Sequence, residues 1–347
     1  MAPQVIAVIG SLMANMMMVT DRIPDGGETI MALEYIELLG GKGCNAAVAA
    51  YRTSHKRPTE IALPKLKRSD SFQDVRTSSN GDIEVRMIGA IGDDHLEKKF
   101  KKVLQEDHVD ISGLVTVPNT RSSVCFVLIE NATRENRILV TPNALSYWKP
   151  HHFLRAEDLG NGIRPDLVVA QLEICKEAVE QMIETAGKAG IDFLLNAAPA
   201  TPINPRTYEN ITHLIVNETE ASILSGRSLD ELCQETWRLV TQEFLDRGVK
   251  NVVLTLGEKG AYYATSDGHG HIPGFEVEVL DTTGAGDTFT GTYASDYLQQ
   301  KAGGSWDIKS AILRANKAAA LAVSKFGAQE GIPWLDEIEA FEAKTRY

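Results

Sequence analysis

The chain alternates short apolar runs with longer segments of helical spacing. Residues 5–9 form an apolar run closed by Gly10-Ser11, the pattern of an interior strand that ends in a turn. Residues 46–52 are small and apolar and follow a glycine cluster, which predicts a helix opening on a Gly-rich loop. A second apolar run covers 85–91, and 94–106 predicts a helix. Residues 124–129 and 137–140 predict two strands joined by the polar turn 130–136. Beyond this point strand patterns at 167–170, 191–195, 213–216 and 252–256 alternate with helical spacing at 176–188, 205–210, 218–224 and 229–247. Residues 275–280 alternate like another strand, and 288–299 predict a helix. Strands alternating with helices imply an α/β fold, a mostly parallel sheet covered by helices on both faces.

One segment breaks the pattern. Residues 55–82 are polar, carry Pro58 and Pro64, and contain the basic stretch Lys65-Leu66-Lys67-Arg68. They predict an exposed insertion, with the basic stretch a solvated loop and a nuclear-import tag its alternative reading.

Composition narrows the function classes. The 347 residues are enough for one large domain or two modest ones, and the formal net charge of -12 argues against nucleic acid or an anionic membrane as partner. Cys44, Cys125, Cys175 and Cys233 form no CxxC pair, which fits reduced thiols in an intracellular, cytoplasmic protein. The N-terminal apolar run is too short to cross a bilayer and lacks the charged start of a signal peptide.

Three glycine-rich or acidic clusters carry the candidate chemistry. In Asp281-Thr282-Thr283-Gly284-Ala285-Gly286-Asp287-Thr288-Phe289, small residues let backbone N–H groups converge where a helix begins. Unpaired amides and the helix dipole make such a place an anion site. Asp287, in the first turn, could then accept a proton from a nearby hydroxyl, although a simple helix cap explains the same residue. Gly40-Gly41-Lys42-Gly43-Cys44-Asn45 lets the backbone approach a ligand closely, with Lys42 and Asn45 as donors, or forms an ordinary Gly-rich turn. Asn217-Glu218-Thr219-Glu220 follows a strand end, where a carboxylate can order Mg2+-bound water, or where Asn217 and Glu220 make a capping box. No GxxxxGK[ST] is present, and no GxGxxG follows the first strand, which excludes a Walker-type ATP site and weighs against a dinucleotide enzyme.

These clusters, in this order, resemble the signatures of the ribokinase-like, or phosphofructokinase B, family of carbohydrate and nucleoside kinases. The resemblance extends from Ile6 to about Phe341 apart from the insertion. It is supported by Gly26-Gly27-Glu28-Thr29, Gly92-Asp93-Asp94, Gln171-Leu172-Glu173, Asn196-Ala197-Ala198-Pro199-Ala200, Thr255-Leu256-Gly257 and Gly327-Ala328-Gln329. It implies a single kinase domain over 1–347, a doubly wound α/β unit with a small β-sheet lid built from residues near 13–38 and 113–130, and pairing of lids in a homodimer. It implies transfer of the terminal phosphate of ATP to a sugar hydroxyl. Asp287 then resembles the base, and the Gly284, Ala285 and Gly286 amides resemble the anion hole. Gly41, Lys42, Asn45 and Glu173 match sugar-contacting positions. Asn217, Thr255, Gly257, Gly286 and Asn316 match positions around ATP, and Glu220 matches the Mg2+ element. Asp281, Thr283, Ala322, Lys325, Gly327 and Gly331 match a K+ site.

One departure bears on the substrate. Where the family's ribose kinases carry an Asn-x-Asp element, this chain has Met13 and Asn15, followed by Met16-Met17-Met18. Met removes a hydrogen-bonding group, and Asn replaces a charge-assisted acceptor with a neutral one. The expectation is ribose as acceptor. Another sugar, a nucleoside such as adenosine, or a catalytically weak sugar-binding regulator stand as the alternatives.

Overall fold

The computed structural model describes residues 3–58, 83–133 and 135–345; the basic stretch at 65–68 lies outside them. The strands are β1 (Gln4–Ile9), β2 (Met13–Thr20), β3 (Glu34–Gly40), β4 (Ile83–Gly92), β5 (Asp110–Val117), β6 (Ser123–Glu130), β7 (Asn136–Thr141), β8 (Leu167–Gln171), β9 (Asp192–Asn196), β10 (His213–Asn217), β11 (Asn251–Thr255), β12 (Ala261–Thr265) and β13 (Gly268–Ile272). The helices are α1 (Lys42–Arg52), α2 (His95–Glu106), α3 (Lys176–Ala189), α4 (Glu218–Ser225), α5 (Trp237–Asp246), α6 (Ala285–Ala302), α7 (Ile308–Val323) and α8 (Leu335–Glu339).

Among the described residues the strands form two sheets. The large one has nine strands in the order β13-β12-β11-β10-β9-β8-β1-β4-β5, and the small one has four in the order β3-β2-β6-β7. Neighbours from β11 through β5 run parallel, while β12 and β13 are antiparallel at one edge. From β1 the chain builds outward to β4 and β5 on one side and to β8 through β11 on the other. Strand order therefore reverses between β1 and β8, and the crevice at their carboxyl ends is where such sheets bind ligands.

Alternation along each strand feeds two separate cores. Ala7, Ile9, Val168, Ala170, Leu214 and Val216 pack with α3 and α5 on one face. Ile6, Val8, Leu167, Val169 and Ile215 pack with α1, α2, α6 and α7 on the other. This is the doubly wound arrangement expected from the strand and helix pattern. Helix α2 shows how local sequence achieves it. Asp94 caps its first turn by accepting from Leu96 N at 3.0 Å, and Leu96, Phe100 and Leu104 line its inner face.

Several expectations shift. Residues 275–280 do not form a strand beyond a single bridge between Phe275 and Thr345, because Glu276 N bonds Lys344 O and Leu280 N bonds Val323 O instead of a sheet neighbour. The 229–247 segment is a short 3-10 turn at Leu229–Glu231, capped by Ser228, followed by α5. Thr236 interrupts it, its hydroxyl donating to the Cys233 carbonyl while accepting from the Cys233 amide. Residues 205–210 form a 3-10 helix. In the small sheet, β2, β3 and β6 occupy the 13–40 and 123–130 regions, but β5 pairs with β4 in the large sheet, and β7 supplies the fourth strand.

The helix-covered face carrying Phe100, whose side chain is fully buried, should be tightly packed. Phe100→Ala is expected to lower the unfolding free energy in urea by about 3–5 kcal/mol. A loss well under 1 kcal/mol would contradict that packing.

Candidate active site

The site begins with two turns that only particular residues can make. Gly41 precedes α1 at φ 96°, and a Cβ there would stand 2.7 Å from the Ser11 carbonyl oxygen. Gly284 precedes α6 at φ 78°, where a Cβ would stand 2.9 Å from the Cβ of Ala328. Both positions need the left-handed region and the missing side chain of glycine. Helices α1 and α6 start beside each other at the carboxyl edge of the large sheet, where Gly291 lets α6 lie against Ala46 and Ala49.

Asp287 lies in the first turn of α6 and is 6% exposed. Its Oδ2 accepts from Asn45 Nδ2 at 2.8 Å, which joins the two glycine clusters across the sequence. The amides of Gly286 and Asp287 occupy helix positions that have no intrahelical acceptor, so the turn can hold an anion. Opposite stands Glu173, two residues beyond β8, whose Oε2 accepts from the Lys42 amide at 2.9 Å and from the Ser11 hydroxyl. Ser11 Oγ in turn accepts from the Gly43 amide at 3.3 Å.

Lys42 links the acidic groups electrostatically. Burial pulls its pKa down, but Asp287, Glu173 and Glu220 together outweigh burial and leave the ammonium above the ordinary lysine value. Burial pushes the Asp287 carboxyl above its ordinary value, although Lys42 and the Asn45 hydrogen bond oppose it. Glu173 is raised by burial against the pull of Lys42, and Glu220 is raised by burial against its bond from the Asn217 amide and against Lys42. Three carboxyl groups thus share one ammonium in a partly dry cleft.

The remaining candidates fall into three groups. Asn217 and Glu220 form a capping box at the start of α4, with both hydrogen bonds at 2.8 Å. Thr255 is the register partner of Asn217 at the same sheet edge, and Gly257 follows at φ 57°. Asn316, on α7, is buried with its amide nitrogen 3.3 Å from Ile272 O and 3.1 Å from Pro273 O, so in this state it braces backbone. Asp281 accepts from the Thr283 amide at 2.9 Å and the Gly327 amide at 3.0 Å. Burial works against the Asp281 carboxylate, but these hydrogen bonds outweigh it and hold its pKa below the ordinary value. The Lys325 amide bonds Ala322 O at 3.2 Å, and a Cβ on Gly331 would stand 2.6 Å from Ala322 O and 3.2 Å from Gly327 O. The Lys325 side chain itself pairs with Glu337. Among the described residues no group of three or more His, Cys, Asp and Glu side chains is placed to hold a metal ion.

The small sheet brings Asn15 to this cleft. A Cβ on Gly40 would stand 3.0 Å from Asn15 Nδ2 and 3.8 Å from Asn45 Oδ1, so the two amides lie near one another. Met13 lies on the same face of β2 by the two-residue repeat, is 7% exposed, and joins neither core. Cys125, the register partner of Asn15 on β6, has its thiol pushed up by burial, with Glu173 adding to the effect. Among the described residues no helix is long and apolar enough to cross a membrane, and the four cysteines are free.

An α/β sheet that sets a buried carboxylate beside a helix-end anion site, with a lysine and a second carboxylate across the cleft, has the parts of a phosphotransferase acting on small hydroxyl compounds. The comparison with known proteins agrees. The model of the pfkB family carbohydrate kinases matches residues 4–335. A deoxyribokinase of Salmonella typhi is 32% identical over 338 residues, covering 97% of this chain and 98% of that one. A ribokinase of Bacillus subtilis is 31% identical over 334 residues, covering 96% and 98%. The structure of Arabidopsis thaliana ribokinase complexed with ribose and ATP matches with a TM-score of 0.80 at 25% identity, covering 99% and 100% of the two chains. The chain belongs to the pfkB family of carbohydrate kinases. It is a sugar kinase, and that class of reaction implies ATP as its phosphoryl donor.

Residue-level reading of the chain missed two participants. Ser11 holds Glu173, and its signal was the Gly10-Ser11 turn at the carboxyl end of β1, beside the point where strand order reverses. Gln329 donates to Asn45 Oδ1, and nothing in its spacing announced that contact.

The raised pKa of Asp287 has a consequence for stability. A carboxyl whose folded pKa exceeds its unfolded value contributes stability that is present below the unfolded pKa and is lost as pH rises through the folded pKa. At neutral pH the buried charge is therefore a net cost. Asp287→Asn is expected to raise the melting temperature at neutral pH, with the gain vanishing below the ordinary carboxylate range. A lowered melting temperature at neutral pH would contradict the assignment.

Proposed function

We propose that this protein phosphorylates ribose to ribose 5-phosphate with ATP, using Asp287 as general base. The observation that carries the reading is the buried Asp287 carboxylate held by Asn45 in the first turn of α6, beside amides free to take an anion. Asp287 would accept the proton of the terminal sugar hydroxyl, whose oxygen forms the new bond to the γ-phosphorus as the bond to ADP breaks. The amides of the Gly284-Ala285-Gly286 turn would hold the transferring group, that of Ala285 after leaving Thr282 O, to which it donates at 3.3 Å. Glu173, Lys42, Asn45, Gly41 and Asn15 would contact the sugar. Asn217, Thr255, Gly257 and Asn316 would flank the nucleotide, which requires the Asn316 amide to serve both the adenine side and the 272–273 backbone.

Two ions fit the residues present. Glu220 would hold Mg2+ through water, which suits a cation that keeps much of its hydration shell and supplies charge neutralisation on the phosphates. The set around Asp281, with Thr283, Ala322, Lys325, Gly327 and Gly331, would suit a weakly hydrated monovalent cation such as K+, the Ala322 and Gly327 carbonyls lying close together at Gly331. The small sheet would act as a lid over the sugar, excluding water as a competing acceptor. Its edge strand β7 leaves Ile138, Leu139 and Val140 exposed, which supports pairing with a second copy as a homodimer. A cytoplasmic location accords with the free thiols, and the nuclear alternative rests on the 65–68 stretch alone.

A second reading, with 2-deoxyribose as acceptor, is favoured by Met13. This buried side chain lies on the β2 face that carries Asn15 toward the cleft and offers no hydrogen bond to a 2-hydroxyl. The test is ADP release with ribose, 2-deoxyribose and adenosine, each with and without K+. Potassium-stimulated turnover with ribose exceeding the other two supports the first reading. Preference for 2-deoxyribose that reverses in a Met13→Asn, Asn15→Asp double variant supports the second. Turnover with adenosine alone, or with none of the three, contradicts both.

A further inference from the structure

The residue that holds Asp287 is itself held. Asn45 Nδ2 donates to Asp287 at 2.8 Å, while Asn45 Oδ1 accepts from Gln329 Nε2 at 3.2 Å. The two ends of an Asn amide have nearly the same shape, so packing does not decide which end faces the carboxylate; hydrogen-bond partners do. An ionised carboxylate selects the NH2 end. A carboxyl that has just taken a proton can instead donate to the carbonyl end, and selection from that side lapses. Gln329 keeps the selection alive from the other side as long as its NH2 end, which can only donate, faces Asn45 Oδ1.

Gln329 is well placed for this. It is 6% exposed, and the same nitrogen lies 3.2 Å from Cys44 Sγ. Its backbone carbonyl accepts from Arg52 Nη1 at 2.8 Å, and Arg52 is clamped to Asp107 by bonds of 2.6 and 2.9 Å. The two residues before it touch the rest of the site. Gly327 donates its amide to Asp281, and Ala328 packs where a side chain on Gly284 would stand. Three consecutive residues thus brace Asp281, Gly284 and Asn45 in turn.

We propose that Gln329 is a positioning residue for phosphoryl transfer, acting through Asn45 to keep Asp287 aimed at the acceptor hydroxyl throughout the cycle. The inference rests on the reading of Asp287 as base. The segment after α7 is thereby tied to the active site through Asn45.

The test uses the full chain and whichever sugar turns over. Gln329→Leu and Gln329→Glu are made alone and combined with Asn45→Ala, and kcat, KM for both substrates and melting temperature are measured. Gln329→Leu is expected to lower kcat by about 10²-fold, the scale of a small misplacement of a reacting group, while KM for ATP stays near wild type. Gln329→Glu keeps the shape but accepts where Gln donates, so it should turn Asn45 round and lower kcat at least as far; it carries the test if the Leu variant does not fold. In the Asn45→Ala background neither substitution should lower kcat further, because the path they act through is gone. Unchanged kcat, or an equal loss in both backgrounds, would overturn the proposal. Asp287→Ala separates the two layers. If it retains turnover, the base assignment falls and the positioning role with it. If it is inactive while Gln329→Leu turns over normally, only the positioning role falls.

Discussion

Keeping the Asp287 carboxylate charged inside the protein is the constraint on which the rest of the structure depends. A carboxylate moved out of water loses solvation worth several kcal/mol, and the surroundings must return much of it. Here the return comes from the Asn45 side chain and the Lys42 ammonium, with the dipole of α6 favouring a negative charge in its first turn. None of these is local to Asp287 except the helix end. Asn45 and Lys42 arrive from the other end of the chain because α1 packs against α6, and that contact needs glycine at 291, where a Cβ would stand 2.5 Å from Ala46 O. The two glycine clusters are therefore one device, assembled by packing.

Topology puts that device in a useful place. Reversal of strand order between β1 and β8 opens a crevice at the carboxyl edge of the sheet, where Ser11 and Glu173 follow their strands and Asn217 and Thr255 end theirs. The small sheet adds a wall from a different part of the chain, bringing Met13 and Asn15 over residues that the large sheet has already positioned. On the proposed function, phosphoryl transfer and choice of acceptor would fall to different elements. Changes in the small sheet would then alter the acceptor while leaving the anion site intact, which is the pattern the Met13-Asn15 departure presents.

Much of this was legible in the chain, for reasons that can be named. The interior strands were visible because strands buried on both faces are continuous apolar runs, as at 5–9 and 213–216. The glycine clusters were visible because Gly41 and Gly284 take a left-handed backbone that favours glycine. The strands β2 and β3 were not, since Met13–Thr20 is a methionine-rich run without alternation and Glu34–Gly40 mixes apolar and charged residues on a half-covered sheet. The false strand at 275–280 had the right alternation but no open sheet neighbour, its amides bonding the 323 and 344 carbonyls. Gln329 and Ser11 escaped because a buried hydrogen bond between distant segments leaves no periodic trace. For Asn217 and Glu220 the structure forms the capping box, with both hydrogen bonds at 2.8 Å, and the Mg2+ reading belongs to the proposed function.

The central claim is that Asp287 acts in the chemical step and not in binding. Single-turnover phosphoryl transfer, measured with enzyme in excess beside nucleotide affinity in the same preparation, tests it most directly. The account predicts that Asp287→Asn, which keeps the shape and removes the charge, slows transfer by about 10²–10⁴-fold while ATP affinity stays close to wild type. Transfer at the wild-type rate would contradict it, as would a loss traced wholly to weaker ATP binding.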